Sequence, residues 1–589
     1  MILSASGWRK VFAQSGSEKD TTTEIGKTNA SLVALIAKTF ADYMKGVTEK
    51  NNPLVAVGMD TRPTGKEIAD ITIKTLVKEG LEVEFLGIAS APEIMAYARQ
   101  LDGFEYISAS HNPIGHNGIK FGLNNGGVLE GRETAKLTAV FKSLCARQDA
   151  EDYAKELMCG FDKARVDLVY TQSPECKQKA LKAYYSFIKT VITGKEEKVE
   201  QNKIFDLIKS YCFKNKLSVV CDMNGSSRIL SIDKQIFSEC GINFIAFNNI
   251  PGAIQHEIIP EPENLVYAAQ RMTEEQEAGN KSALIAYMPD CDGDRGNLVI
   301  WNEKTNRSEV IKAQEVFALC VMAEYSYSMW AEGDLYKNTK HAVAVNCPTS
   351  NRIEEIAKCF NTEVFRAEVG EANVVNLARE KRNLSYSVRI LGEGSNGGNI
   401  TYPSSVRDPL SSVFALIKLL AIKELSYLWY KNCGRENLWN ENLSLSDLLE
   451  SLPEYTTTGV SEERALLHVK AQDKGLLKEK FKILFETEFI QRQNELKEKY
   501  LIEKYDAVLT NGTKEVKAAG SWNNASGGLK VRFFDDSENQ LAFIWMRPSG
   551  TESVFRVMCD VKGKNASMEK DLLEWETKLI YQADKELCV

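Results

Sequence analysis

The segment Ser108-Ala109-Ser110-His111-Asn112-Pro113 sets a hydroxyl, an imidazole and an amide side by side, groups that serve nucleophilic and proton-transfer chemistry. It follows a β-type run (Phe104, Tyr106, Ile107) and precedes two chain-bending residues, Pro113 and Gly115, so Ser110 is expected on a loop at a strand end. His111 is a candidate to carry a proton to or from it. Taken alone, the same six residues also describe a Ser/Asn-rich surface turn.

A second concentration is Asp290-Cys291-Asp292-Gly293-Asp294-Arg295, directly after the strand-like run Leu284 to Met288. Carboxylates at alternate positions can converge on one hard cation through oxygen ligands, and Mg²⁺ is the natural choice. An EF-hand loop also spaces its acids this way, but its glycine follows the third acid and helices flank it; here Arg295 follows and a strand flanks. A plain Asp-rich turn is the other alternative, although like charges this close repel unless a cation or an arginine relieves them.

Two further stretches suit polar, phosphorylated ligands. Gly392-Glu393-Gly394-Ser395-Asn396-Gly397-Gly398 is a glycine-rich loop after Ile390-Leu391 whose Glu393 and Ser395 could meet sugar hydroxyls; without its neighbours it would read as a flexible turn. Arg547-Pro548-Ser549-Gly550-Thr551-Glu552, with Arg556 after it, offers an arginine, two hydroxyls and an open glycine amide, which together can surround a phosphate.

The elements that must hold these loops are legible in outline. Apolar residues at helical spacing (Leu32, Leu35, Ile36, Phe40) predict a helix over 30–44; Leu54 to Gly58 reads as a buried strand ending at Asp60-Thr61-Arg62. A second helix carries the stripe Ala69, Ile73, Leu76, Val77, and Gly80 ends it before a strand at Val83 to Phe85. Strands alternating with helices indicate βαβ units, whose ligands bind beyond the strands' carboxyl ends. Later units start at the strand Leu217 to Asp222 and near the helix Ala313 to Met322; Asp408-Pro409 opens a helix read as packing in the third unit. The Lys/Glu-laden run Lys478 to Lys499 reads as a solvated helix face. Three β-type runs (Leu529 to Phe534, Leu541 to Met546, Phe555 to Cys559) and a closing helix from Met568 end the chain.

Taken together these motifs resemble the α-D-phosphohexomutase superfamily, the phosphoglucomutase/phosphomannomutase family. Its pattern is Thr-Ala-Ser-His-Asn-Pro with a lysine ten residues on, matched by Ser110 and Lys120; its start Thr-Ser-Gly-Trp-Arg is matched at Ser6 to Arg9; its Asp-x-Asp-x-Asp-Arg is matched at Asp290 to Arg295. The Arg-Pro-Ser-Gly-Thr-Glu loop matches several branches, and Ile259 to Leu265 resembles a second-domain loop. The sugar loop keeps Glu393 and Ser395 but has Asn396 and Gly397 where many members have Gly and His. The resemblance implies an α/β fold of four domains around a central cleft: three similar mixed α/β domains (1–180, 181–303, 304–450) plus a smaller C-terminal sheet-and-helix domain (451–589), with surplus chain near 146–200 and 470–506.

It also implies a chemistry. A phosphorylated Ser110 exchanges phosphate with O1 and O6 of a hexose through a bisphosphorylated sugar. Mg²⁺ is held by Asp290, Asp292, Asp294 and Ser110; Arg9 lies near the phosphoserine; Lys120 acts as general acid or base with its pKa lowered by cationic neighbours, His111 being the second candidate. Arg295, Glu393, Ser395, Arg547, Ser549, Gly550, Thr551 and Arg556 bind substrate, and a sugar bisphosphate such as glucose 1,6-bisphosphate activates. Glucose phosphate is the first expectation, followed by mannose, amino-sugar or pentose phosphates. A sugar-phosphate-binding protein without turnover and a metal-dependent phosphatase are the rival readings.

Composition narrows the class. The 589 residues are 43% hydrophobic and 26% charged, an ordinary globular profile. The formal charge of -8 comes with no long basic run, so no nucleic-acid partner is expected. No apolar run reaches the length of a membrane span and no leader pattern is present, so a cytoplasmic protein without a membrane partner is expected. Thirteen cysteines without a Cys-x-x-Cys pair predict reduced, mostly buried thiols.

Overall fold

The structure, a computed structural model, describes residues 1–549 and 554–588. Its contacts divide the chain into two compact units. Unit 1 comprises Met1–Lys312, Gly398–Lys423 and Ser444–Ser446; unit 2 comprises Ala313–Gly397, Glu424–Leu443 and Asp447–Val589. Both are mixed α/β.

Unit 1 holds two sheets. The first is formed by β1 (Ile2–Ser4), β2 (Gly7–Val11), β3 (Leu54–Met59), β4 (Glu82–Ile88), β5 (Gly103–Ile107) and β6 (His116–Leu123), in the order β1-β2-β6-β5-β3-β4. β3 runs parallel to β4 and β5, joined by the helices Gly65–Lys78 and Ala91–Ala98, while β6 and β2 close one side antiparallel. The N-terminus is therefore a strand of the sheet. Trp8 fixes it there, fully buried and edge-on to Phe121 at 5.1 Å.

The second sheet repeats the plan with β7 (Ser218–Asp222), β8 (Asn243–Phe247), β9 (Ala283–Met288), β10 (Asn297–Asn302) and β11 (Arg307–Val310) in the order β11-β10-β9-β7-β8. β7 is parallel to β8 and β9; β10 is antiparallel to β9. Buried strands on both sides make these runs nearly continuous in Val, Ile and Ala rather than alternating.

Two expectations change here. The stretch 146–193 is more than a connection: the 31-residue helix Lys163–Thr193 packs along β4 and the helix Ala91–Ala98, and buries Cys176, Ala180, Tyr184 and Ile188. The helix Pro409–Ala421, read from its place in the chain as a third-unit helix, packs in unit 1, where Phe414 stacks on Phe237 at 5.7 Å. Asp408 caps it by accepting from the Leu410 amide at 2.9 Å. Just before it, β16 (Ile400–Thr401) lies in the same returning segment.

Unit 2 contains β12 (Lys340–Asn346), β13 (Thr362–Ala367), β14 (Tyr386–Ser387) and β15 (Ile390–Gly392), with β13, β14 and β15 all parallel to β12. The last sheet has seven strands, not the three read from sequence: β17 (Tyr455–Thr457), β18 (Leu466–Leu467), β19 (Lys504–Asn511), β20 (Lys514–Lys517), β21 (Leu529–Phe534), β22 (Gln540–Pro548) and β23 (Phe555–Lys562). The helices Lys474–Tyr500 and Ala566–Leu587 cover it. The first of these is not simply a solvated face: Leu477, Phe481, Phe485 and Phe489 form a buried stripe at i, i+4 spacing, and Lys478 is itself buried.

The thirteen cysteines are free thiols, most of them buried. Among the described residues no helix is long and apolar enough to cross a membrane.

Candidate active site

Ser110 lies in the loop between β5 and β6. The return of the chain past it demands a glycine: a Cβ at Gly118 would come within 2.8 Å of the Ser108 carbonyl and 2.9 Å of Arg9 Cγ. Ser110 adopts a left-handed backbone conformation at φ +56°, unfavourable for a serine, and its amide donates to Ser108 Oγ at 2.8 Å. Its own hydroxyl donates to Asp290 Oδ2 at 2.6 Å. The two loops that stood 180 positions apart in sequence thus meet in unit 1.

Asp290, Asp292 and Asp294 follow β9 and are buried, and an oxygen from each lies within 4.8 Å of the others. Gly293 turns this loop at φ +73°; a Cβ there would strike Arg228 at 2.5 Å. Burial and then the two neighbouring carboxylates push the Asp290 carboxyl far up from its ordinary value. Asp292 Oδ2 accepts from Lys120 Nζ at 2.6 Å and Ser108 Oγ at 3.1 Å, whereas Asp292 Oδ1 is buried with no hydrogen-bond partner among the described residues. Converging acids with an orphaned oxygen fit a bound cation, and the oxygen-only donor set suits a hard divalent ion.

Lys120 departs from expectation. Burial draws its pKa down, but Asp292 and Asp294 outweigh burial and leave it above the ordinary lysine value rather than below. His111 is held the other way: burial and the surrounding arginines, Arg295 foremost, keep its pKa well below the ordinary imidazole value. Its Nδ1 lies 3.0 Å from Arg295 Nη2 and 3.4 Å from Ser110 Oγ. As neutral imidazole, Nδ1 accepts from Arg295.

Arg9 is buried on β2 and gathers with this group, as the fields of Asp292 and Asp294 on it indicate. Three participants were not read from sequence. Arg407 Nη2 lies 3.4 Å from both oxygens of Asp294; Arg62 lies under the serine loop; Glu261 is 3.5 Å from Arg295 Nη1. The last belongs to the stretch Ile259 to Leu265. Arg62 stood in plain view at the end of β3, while Arg407 had no signal beyond its charge. Beneath the acidic loop, the fully buried Arg228 pairs with Asp233 at 2.9 Å and Asp408 at 3.2 Å.

The remaining candidates lie in unit 2. Glu393 Oε1 accepts from the Gly370 amide at 2.7 Å and Asn346 Nδ2 at 3.1 Å, and Oε2 accepts from Asn396 Nδ2 at 3.2 Å. Ser395 Oγ accepts from the same Asn346 amide at 3.2 Å. Arg547 Nε is 2.8 Å from Glu368 Oε1, an ion pair without hydrogen-bond alignment. Glu368 is buried and accepts also from Thr510 Oγ1 at 2.6 Å and the Gly528 amide at 2.5 Å. The segment Glu368-Val369-Gly370 therefore touches both Glu393 and Arg547. The Ser549 amide donates to the Val554 carbonyl at 2.8 Å, and Arg556 Nη1 donates to the Val460 carbonyl at 2.5 Å. Gly550 and Thr551 lie outside the described residues.

Comparison with known proteins is consistent with this arrangement. Residues 9–147 match the model of phosphoglucomutase/phosphomannomutase α/β/α domain I, and residues 317–455 match that of domain III. A phosphoglucomutase/phosphomannomutase of Thermococcus kodakarensis is 24% identical over 91% of this chain and 91% of its own. A phosphoglucosamine mutase of Methanococcus aeolicus is 28% identical over 62% of this chain and 67% of its own. In fold, the chain is similar to the exocytosis-sensitive phosphoprotein parafusin (phosphoglucomutase) of Paramecium in its open form, with a TM-score of 0.61 at 15% identity, covering 99% of this chain and 95% of that one.

Proposed function

The chain belongs to the phosphoglucomutase/phosphomannomutase family, and on that footing we propose that it is a phosphohexomutase, moving phosphate between O1 and O6 of glucose through phosphorylated Ser110 and glucose 1,6-bisphosphate. The observation that carries the reading is the Ser110 hydroxyl, 2.6 Å from Asp290 in a buried setting that combines three carboxylates with Lys120, Arg9, Arg295 and Arg407. A phosphatase would need the acidic loop and a nucleophile. It has no use for Glu393 and Ser395.

In the forward step, the bond from Ser110 Oγ to phosphorus breaks as the sugar's free hydroxyl oxygen forms its own bond to phosphorus. Lys120, held cationic by Asp292, is suited to give a proton to the departing serine oxygen. Neutral His111, with its proton on Nε2, has its one lone pair on Nδ1, 3.4 Å from Ser110 Oγ, and is the candidate to receive the hydroxyl proton there once Arg295 turns from it to the phosphoryl group. Arg9, Arg295 and Arg407 offset the negative charge on the three phosphoryl oxygens. Asp290, Asp292, Asp294 and Ser110 would hold Mg²⁺, which when bound supplies further neutralisation of that charge. The bisphosphate then returns its other phosphate to Ser110. Glu393 and Ser395 are assigned to the sugar's hydroxyls, and Arg547, Ser549 and Arg556, with Gly550 and Thr551, to the phosphate that is not reacting.

A second sugar has specific support, since the Methanococcus aeolicus relative is a phosphoglucosamine mutase. The test is a ³¹P NMR panel of glucose, mannose, glucosamine, N-acetylglucosamine and ribose 1-phosphates with Mg²⁺ and the matching bisphosphate. Turnover of glucose 1-phosphate first is expected. Protein phosphorylated on Ser110 that turns over none of the five would overturn the reading.

A further inference from the structure

Arg62, which follows β3 in the run Asp60-Thr61-Arg62, has no exposed side-chain surface. Its Nη2 donates to the carbonyls of Ser110 at 2.7 Å and Asn112 at 2.5 Å; its Nη1 donates to those of Pro113 at 2.5 Å and His116 at 3.1 Å. Its Nε donates to Asp60 Oδ2 at 3.2 Å, and Asp60 Oδ1 accepts from the Arg62 amide at 3.0 Å. A guanidinium has five N–H donors, and all five are engaged. None remains for a phosphate. In this respect Arg62 differs from Arg9, Arg295 and Arg407, which stand among the acidic residues.

Three of the four carbonyls belong to the loop that carries Ser110, the fourth to the first residue of β6, and that loop is strained. Ser110 holds φ +56°, a conformation L-residues leave unless their surroundings impose it. With one carbonyl at Ser110 and three after it turned onto a single rigid fork, the loop cannot relax without breaking several charge-assisted bonds together. Asp60 fixes the fork in its turn. We propose that Arg62 is the positioning residue of the site: it holds the serine loop in the left-handed conformation that sets Ser110 Oγ against Asp290, and it takes no part in binding the sugar or its phosphates. The inference rests on the phosphotransfer role proposed for Ser110. Lysine cannot substitute, because an ammonium is a point donor and cannot span four carbonyls.

The test uses the full-length protein as Arg62→Ala and Arg62→Lys. Displacing a reacting atom by about 1 Å costs on the order of 100-fold, so kcat is expected to fall about 100-fold in Arg62→Ala and at least about 10-fold in Arg62→Lys, with KM for sugar phosphate within about threefold of wild type. Added guanidinium ion should restore part of the Arg62→Ala turnover, which loss of general stability would not allow. Amide hydrogen exchange over residues 108–118 should quicken in both variants while exchange elsewhere in unit 1 is unchanged. A folded variant with wild-type kcat, or a loss confined to KM, overturns the proposal. Should Arg62→Ala fail to fold, Arg62→Lys decides it by the same readings. If the wild type itself turns over no sugar phosphate, the functional reading falls, and unchanged exchange over 108–118 still overturns the clamp.

Discussion

Glu105 lies in the middle of β5, three residues before Ser108, where the loop begins, and is fully buried. Its Oε1 accepts from Thr72 Oγ1 at a long 3.2 Å, and its Oε2 has no hydrogen-bond partner among the described residues. Burial pushes its pKa from 4.5 to about 8, with the Thr72 bond a minor opposing effect. A folded-state pKa above the unfolded one means that the native state binds the proton more tightly. The group's contribution is therefore fully present below pH 4.5 and is lost as pH rises toward 8. Between pH 5 and pH 7.5 that loss amounts to about 3 kcal/mol, at ~1.4 kcal/mol per unit. Glu105→Gln keeps the shape and removes the titration. Its own amide adds an offset of either sign, but a pH-independent one. Thermal unfolding of wild type and variant across this range should show the variant gaining roughly 2–4 °C on wild type from pH 5 to pH 7.5, at ~2.1 cal/mol/K of unfolding entropy per residue over unit 1 or the whole chain. A difference that stays flat with pH would refute the reasoning, because it would mean that Glu105 ionises in the fold at an ordinary pKa.

Ser110→Ala should abolish covalent phosphate, read by intact mass, together with turnover; retained activity would exclude Ser110 as the carrier. Asp292→Asn should remove most activity while leaving the circular dichroism unchanged, and chelator should do the same to wild type with recovery on adding Mg²⁺; full activity in excess chelator would count against a metal site. Arg547→Ala should lower kcat/KM about ten- to a hundred-fold, mostly through KM, as expected for loss of a charge-assisted contact of ~1.5–3 kcal/mol. Glu368→Gln, which removes the charge paired with Arg547 and also alters the acceptor of Thr510 and Gly528, should move KM in the same direction by less; an unchanged KM in both would mean that the phosphate is held elsewhere.

What was legible in the sequence was what is local. The serine loop and the acidic loop each fit within six residues, and their strands are short apolar runs bounded by turns. Partners supplied from elsewhere in the chain were not legible: Arg62 showed only as a charged residue after a strand, Arg407 carries no motif, and Asn346 and Gly370 look like ordinary strand-end and turn residues until Glu393 is set against them. The helix Pro409–Ala421 was misassigned because it is buried on every side, Ser411, Ser412 and Lys418 included, so its stripe did not point to a partner. In the helix Lys474–Tyr500, abundant Lys and Glu masked the four-residue spacing of Phe481, Phe485 and Phe489. Lys120 was misjudged for a different reason: a motif fixes position, but the balance between burial and two carboxylates is set only by distances.

The return of Gly398–Lys423 to unit 1 bears on how the chain can be made and cut. Neither unit is a continuous stretch. When synthesis has reached Lys312, both sheets of unit 1 are complete, yet Arg228 still lacks Asp408, Asp294 lacks Arg407, and Phe237 lacks Phe414. The buried Arg228 beneath Gly293 would then keep Asp233 but lack the second of its two carboxylates. The site around Ser110 therefore matures only after about a hundred further residues have been added, and a fragment ended at the boundary between the units would carry every catalytic motif of the first while lacking part of its core.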